Sequence, residues 1–497
     1  MAGIGFELKK LFTARTAAGH LKAYSYSALI TAGPFALLTV MVLLVQTMFY
    51  TFKVPLEENY IFTGAIVYAF VFSQILSSGF VMVLTRYLAD CLSVGRYYDI
   101  AASCLGMSAI LAVLGSIMSA VFYWDKPLDF LTKLLAYLFF LQLLIIWVET
   151  VYLSAVQRYK RLLLSYGAGV SLAVVLSAVF LTQGQVSLSA SQSALLALNI
   201  GMMVTVASFF LCIALQFGLP QQAMHFAFLP YFERHWRLFG VSLGYTLGLF
   251  LPNIIIWFGP WGVRIAGTYL YAPNYDVLTF YAFLTILPLM IMFVVKAETR
   301  FYTQYAKYFR MITQKGNFRE IDDARRNLLH TLWFELLHIF EFQFVFTMIA
   351  LSMSNYLLTW GNITNDMVNM FNVLLFAAFF TGAQQVVCVL LLYFDCQQEV
   401  LKINICYVVS SLVFGLLGLL VFGPKSYGFT FFLAALIAFL LALWRLQHFS
   451  RRINYFIFCS QPVFYNPPHG PLTRLVQKLY GDRYVNLELA GEEHETT

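Results

Sequence analysis

Charged side chains are scarce in this chain, at 11% of residues, so the few that fall inside long apolar runs are where chemistry should be sought. Glu149 sits in one such run, with Gln142 two turns earlier on the same helical face. Glu335, His338 and Glu341 recur every three residues in another and read as one polar stripe. An ionisable group in hydrocarbon costs on the order of 3 kcal/mol, so it is retained where it faces water, a substrate or an opposite charge. These four residues are therefore candidates for the lining of a substrate path. A second set closes apolar runs: Arg86, Lys296, Glu298, Arg300 and Asp395. They suit a cytoplasmic gate, and equally the simpler role of reaching out to the membrane interface. Pro34 and Pro252 each remove a backbone donor inside an apolar run, which makes both hinge candidates; Asn253 can satisfy a carbonyl freed by the second.

Other chemistries find little support. There is no G-x-x-x-x-G-K-[ST] and no H-E-x-x-H, so neither a nucleotide site nor a metal is expected. The seven cysteines are scattered, with no C-x-x-C, and read as packing residues rather than ligands or disulfides. Asp322 and Asp323 form a carboxylate pair of the kind used in metal sites, but Arg325 and Arg326 beside them point to a solvated helix start. His338 could serve as the base of a membrane-embedded acyl- or glycosyltransferase. Apart from the carboxylates of its own stripe no other catalytic group lies near it in sequence, and the expectation is a protein that makes no bonds and needs no cofactor.

The elements that must position these residues follow from composition. With 60% of 497 residues hydrophobic, the chain has too little polar surface for a water-facing shell, so its solvent is mostly lipid. Apolar runs of about 20 residues, enough to cross a bilayer as helix, recur along the chain. They predict spans at 27–50, 60–84, 101–123, 131–155, 163–182 and 194–216, then 236–257, 278–296, 331–357, 370–394, 405–423 and 427–445. The fold class is thus all-α and polytopic, with about twelve transmembrane helices in two six-helix lobes. The divisions are an amphipathic segment at 1–26, an N-lobe at 27–216, a linker at 217–235, a C-lobe at 236–448 carrying a loop at 297–330, and a tail at 449–497.

Orientation follows from the basic residues, which are retained on the cytoplasmic side. All but five of the 31 fall on one side of the predicted topology; the exceptions are Lys53, Lys126, Lys133, Arg264 and Lys425. Both termini are therefore expected in the cytoplasm, and the net charge of +7 reflects topology rather than nucleic-acid binding. No cleavable signal is evident in residues 2 to 22, so the first span should act as its own insertion signal. Ile4, Leu8, Leu11 and Phe12 share a helical face, as do Leu472, Leu475, Val476 and Leu479; both stretches read as helices lying on the bilayer.

A faint repeat links the lobes. Thr85-Arg86-Tyr87 leads to Gly95-Arg96-Tyr97-Tyr98-Asp99-Ile100, and Thr299-Arg300-Phe301 leads to Gly316-Asn317-Phe318-Arg319-Glu320-Ile321. Six-plus-six repeats are the architecture of several transporters that alternate access to a central site.

Several stretches carry a resemblance: MAGIGFELKKL at Met1 to Leu11, Gly33-Pro34, TRYLAD at Thr85 to Asp90, WFGP at Trp257 to Pro260, Leu278 to Phe301, and Tyr427 to Ala434. Through them the chain resembles the PelG family of Pel exopolysaccharide transporters, over residues 1 to about 457. The resemblance implies a flippase-like member of the multidrug, oligosaccharidyl-lipid and polysaccharide (MATE/MOP) superfamily in the bacterial cytoplasmic (inner) membrane. It also implies passage of an amino-sugar-rich polymer, with the cytoplasmic glycosyltransferase PelF and the membrane proteins PelD and PelE as partners. The carboxylates Glu149, Glu335 and Glu341 would suit a cationic polymer. A flippase for a lipid-linked oligosaccharide shares the same fold and is the alternative.

Overall fold

The computed structural model describes residues 33, 36–155, 159–183, 188–218, 224–314, 316–359, 365–459 and 470–481. Pro34 and the amphipathic stretch from Ile4 to Phe12 lie outside them. The first half comprises α1 (Ala36–Thr51), α2 (Leu56–Val94), α3 (Tyr98–Tyr123), α4 (Phe130–Ala155), α5 (Tyr159–Gln183) and α6 (Ala190–Phe217). A short α7 (Leu229–Arg234) precedes α8 (Trp236–Trp257) and a hairpin of β1 (Val263–Ile265) and β2 (Tyr269–Tyr271). Then come α9 (Pro273–Leu284), α10 (Leu287–Lys296), a π-helical turn (Ala297–Phe301), α11 (Tyr302–Thr313) and α12 (Phe318–Thr359). The chain continues through α13 (Asn365–Tyr393), α14 (Gln397–Leu417), α15 (Tyr427–Arg451), α16 (Ile453–Cys459) and α17 (Pro471–Tyr480).

Among the described residues, eleven helical stretches are long and apolar enough to cross a membrane, and α1 is a shorter apolar helix beside them. The protein is a multi-pass membrane protein, in agreement with the expected count. Two compact units are built from these helices. One comprises Pro34–Leu247, Val263–Leu270 and Val463–Thr497, and is called here the N-unit. The other, the C-unit, comprises Met1–Gly33, Gly248–Gly262 and Tyr271–Pro462.

Within the N-unit, α5 and α6 meet at small residues. A Cβ at Gly201 would lie 2.4 Å from the Gly169 carbonyl oxygen, so only glycine permits this approach, a means of helix association that needs no hydrophobic driving force in lipid. The start of α6 is fixed by a capping box: the Ser189 hydroxyl accepts from Gln192 N–H, and the Gln192 side-chain oxygen accepts from Ser189 N–H. The hairpin turns at Ala266 and Gly267, both with positive φ, as a two-residue turn of this hand requires. Tyr68 clamps its second strand, donating to Leu270 O at 2.8 Å and accepting from Leu270 N–H at 2.9 Å.

The C-unit departs from expectation in two places. The span expected at 278–296 is broken after Leu284, because Pro288 cannot donate to the turn before it. Thr285 and Ile286 instead make tighter bonds to Ala282 and Phe283, and Gln343 Nε2 donates to the Thr285 carbonyl at 2.8 Å, tying the break to α12. The expected loop at 297–330 is largely helical, formed by the π turn, α11 and the start of α12. Aromatic anchors hold α11: Tyr305 donates to Tyr393 O, and Tyr308 to Asn454 Oδ1.

Candidate functional site: a two-cation, one-carboxylate cluster

The distorted segment between α10 and α11 carries the site. A π turn adds a residue to the helical cycle, and such turns often mark functional positions. Here it presents Lys296 and Arg300 to the same carboxylate on α12: Lys296 Nζ lies 2.8 Å from Glu335 Oε2, and Arg300 Nη1 donates to Glu335 Oε1 at 2.7 Å. Glu335 and Lys296 are largely enclosed, whereas 60% of the Arg300 side chain remains exposed. Two cations on one carboxylate leave the cluster with a surplus positive charge. Arg300 borders a cavity of about 370 Å³ lined also by Thr299, Thr303, Gln304, His330 and Phe334. The hydroxyls of Thr299 and Thr303 give their hydrogens to Val295 O and Thr299 O, so their lone pairs are left to accept. His330 stacks on Phe334 at an interplanar angle of 13°, giving the cavity an aromatic wall.

The expected polar stripe on α12 does not hold together. Glu335 is buried, while His338 and Glu341 are exposed. A three-residue step falls short of a full turn by about 60°, so two such steps carry Glu341 well round the helix from Glu335. The His338 ring lies 4.2 Å from that of Phe334, and its Nδ1 is 2.8 Å from Phe334 O. Glu149 belongs to the N-unit and so to neither group. It is 2% exposed, and its Oε2 has no hydrogen-bond partner among the described residues.

The gate candidates divide in the same way. Arg86 and Arg300, paired by the sequence repeat, have different surroundings: Arg86 is exposed on an unbroken α2 and pairs with Asp90 one turn on, at 3.4 Å. Asp395 is an exposed turn residue with φ of 57° between α13 and α14, a conformation that aspartate tolerates, and it accepts from Gln397 Nε2. Glu298 falls within the π turn, and its side chain lies outside the described residues. Pro252 lies inside α8, which continues through it.

Asn253, expected to satisfy a carbonyl freed by Pro252, donates instead to Asp276 Oδ1 at 2.7 Å. Asp276 is the residue that sequence reading missed. Its carboxylate also accepts from Trp257 Nε1 and from Ala272 N–H, fastening the end of α8 to the start of α9. The signal was available, since Asp276 opens an apolar run four residues after Ala272, but its role depends on two partners about 20 residues away. Among the described residues no group of three or more His, Cys, Asp or Glu could hold a metal ion. Asp322 pairs with Arg325 and Arg326 at the start of α12, as the sequence indicated.

A profile of the PelG family, described as "Putative exopolysaccharide Exporter (EPS-E)", matches residues 1–458. No curated protein sequence matches the chain. Among solved structures, an outward-facing multidrug resistance MATE family transporter of the MOP superfamily is similar with a TM-score of 0.57 at 13% identity, covering 86% of this chain and 96% of its own. An inward-facing conformation of such a transporter gives 0.54 at 15% identity, over 83% and 95%. A MOP superfamily transporter from Pyrococcus furiosus, whose report notes reversed polarity of its binding pocket, gives 0.50 at 13% identity, over 86% and 95%. At these identities the likeness shows the fold, which is that of MATE/MOP transporters.

Proposed function

Because the chain belongs to the PelG family of exopolysaccharide exporters, we propose that it carries the Pel polymer, rich in amino sugars, across the bacterial cytoplasmic membrane by alternating access. The observation that carries this reading is a family match over almost the whole membrane core of a MATE/MOP-type fold. The cytoplasmic glycosyltransferase PelF and the membrane proteins PelD and PelE are its partners in this reading. Deleting the gene should stop secretion while polymer accumulates inside the cell. Continued secretion would refute the transport assignment.

The cavity at Arg300 serves in this reading as a contact point for the moving chain. Phe334 offers a ring face to a sugar, the threonine oxygens accept from its hydroxyls, and Arg300 keeps nitrogens beyond the one bonded to Glu335. Its surplus positive charge makes hydrogen bonding, rather than attraction of a cationic polymer, the basis of contact. Arg300→Lys keeps the charge but loses the planar fork. We expect normal membrane abundance and export reduced about tenfold, equivalent to about 1.4 kcal/mol. Arg86→Lys, at an exposed helical position, should export normally. Equal export from both variants would remove the cavity from the path.

The orientation, with both termini in the cytoplasm, rests on the partition of basic residues. In a cysteine-free background, a cysteine at Ser187 should react with an impermeant thiol reagent applied to intact cells, and one at Gly316 should not. Labelling at Gly316 without permeabilisation would reverse the assignment.

A further inference from the structure

The transport reading makes no use of α17, which lies beyond residue 458, where the family match ends. Its seating is nevertheless specific. A Cβ at Gly470 would meet the end of the Glu233 side chain, so a larger residue there would push aside the carboxylate that seats the helix. Glu233, on α7, then caps the new helix: Leu472 and Thr473 donate their N–H groups to it, and the Thr473 hydroxyl donates at 2.6 Å. At the far end Tyr480 accepts from Phe226 N–H at 3.2 Å. All of these residues belong to the N-unit.

The seat covers only part of the helix's apolar surface. At about 100° per residue, Thr473, Val476 and Tyr480 fall within an arc of roughly 60°, and this is the arc turned to the protein. Thr473 and Val476 are buried there. Leu475 and Leu479 lie on the adjoining flank, 46% and 55% exposed. Arg474 and Lys478 follow on the next arc, also exposed.

What covers that flank is indicated by where the helix sits. It packs on α7, whose last residue, Arg234, is two positions before the start of the membrane span α8. Trp236, the first residue of that span, is 57% exposed, and an exposed tryptophan at a span terminus belongs at the headgroup level. We propose that the Leu475–Leu479 flank of α17, with Arg474 and Lys478, is a binding surface for the anionic headgroups of the surrounding membrane. Leucines on the flank enter the headgroup boundary, and the two basic side chains meet lipid phosphates beside them.

The test uses the full-length protein with its native cysteines replaced and one cysteine at Leu475 or at Gln477, each labelled with an environment-sensitive fluorophore. The protein is reconstituted into vesicles of phosphatidylcholine alone or mixed with phosphatidylglycerol. In the anionic vesicles, acrylamide should quench the Leu475→Cys probe about threefold less than the Gln477→Cys probe, as an interfacial helix requires. Lipids spin-labelled near the headgroup should quench it more. Salt at about 1 M, which shortens screening to about 3 Å, should remove the protection. Replacing Arg474 and Lys478 by Gln should abolish the difference between the two lipid compositions. Equal acrylamide quenching at both sites in both vesicles would overturn the proposal, showing a flank open to water. Protection that ignores lipid charge but grows with protein density would overturn it too, in favour of a second copy.

Discussion

Glu335→Gln is expected to lower the amount of folded protein in the membrane several-fold. The carboxylate is buried against Lys296 at 2.8 Å, and removing one partner of a buried pair strands the other charge, at a cost of about 3 kcal/mol. Arg300 adds little to that figure, because its side chain is mostly exposed and solvent screens it. A loss of even about 1–2 kcal/mol changes cellular abundance several-fold. The double variant Lys296→Met with Glu335→Leu should recover abundance, since apolar residues of similar size commonly replace a buried ion pair without loss. Its export should stay low, because Arg300 would have lost the carboxylate that orients it. Membrane abundance, thermal midpoint and secreted polymer measured together separate the roles. Normal abundance of Glu335→Gln would show that the pair does not support the fold, and normal export of the double variant would make the cluster purely structural.

Glu149→Leu is expected to do the reverse, preserving or raising stability while lowering export about tenfold or more, a loss of at least about 1.4 kcal/mol at the limiting step. The side chain is 2% exposed, and one carboxyl oxygen has no partner among the described residues. Removing an unsatisfied buried polar group returns about 1–3 kcal/mol of desolvation cost. A group that burdens the fold in this way is a candidate for a role in the transport cycle. Glu149→Gln keeps the shape but not the acid, and should export as poorly as the leucine variant if the carboxyl itself is needed. Wild-type export from both variants would reduce Glu149 to a packing residue.

The two carboxylates were indistinguishable in the sequence. Each sits in an apolar run with a polar neighbour on what looks like its own face, Gln142 for one and His338 for the other. Glu335 is neutralised by cations from a different helix, whereas Glu149 is buried with one carboxyl oxygen lacking a partner among the described residues. Periodicity reports which residues share a face of one helix, and charge pairing between helices lies outside it. The sequence repeat around Arg86 and Arg300 shows the same limit, since matching residues occupy an uninterrupted α-helix in one copy and a π turn in the other.

Composition by itself determined the solvent, and with it the fold class. Hydrocarbon leaves no partner for an unpaired peptide group, so apolar runs of span length must be helices, and their number and order can be counted along the chain. Such counting is local, and it reached the multi-pass helical architecture and the amphipathic character of 472–479. What only the tertiary structure decided was how charges and breaks are resolved. Pro288 divides an apolar run that length alone made continuous, because a missing donor outweighs hydropathy. Asp276 found Asn253 and Trp257, Glu335 found Lys296 and Arg300, and Glu233 found the start of α17. Each of these depends on side chains brought together from distant segments, and the cost of leaving a buried polar group unpaired is settled only once those segments are packed.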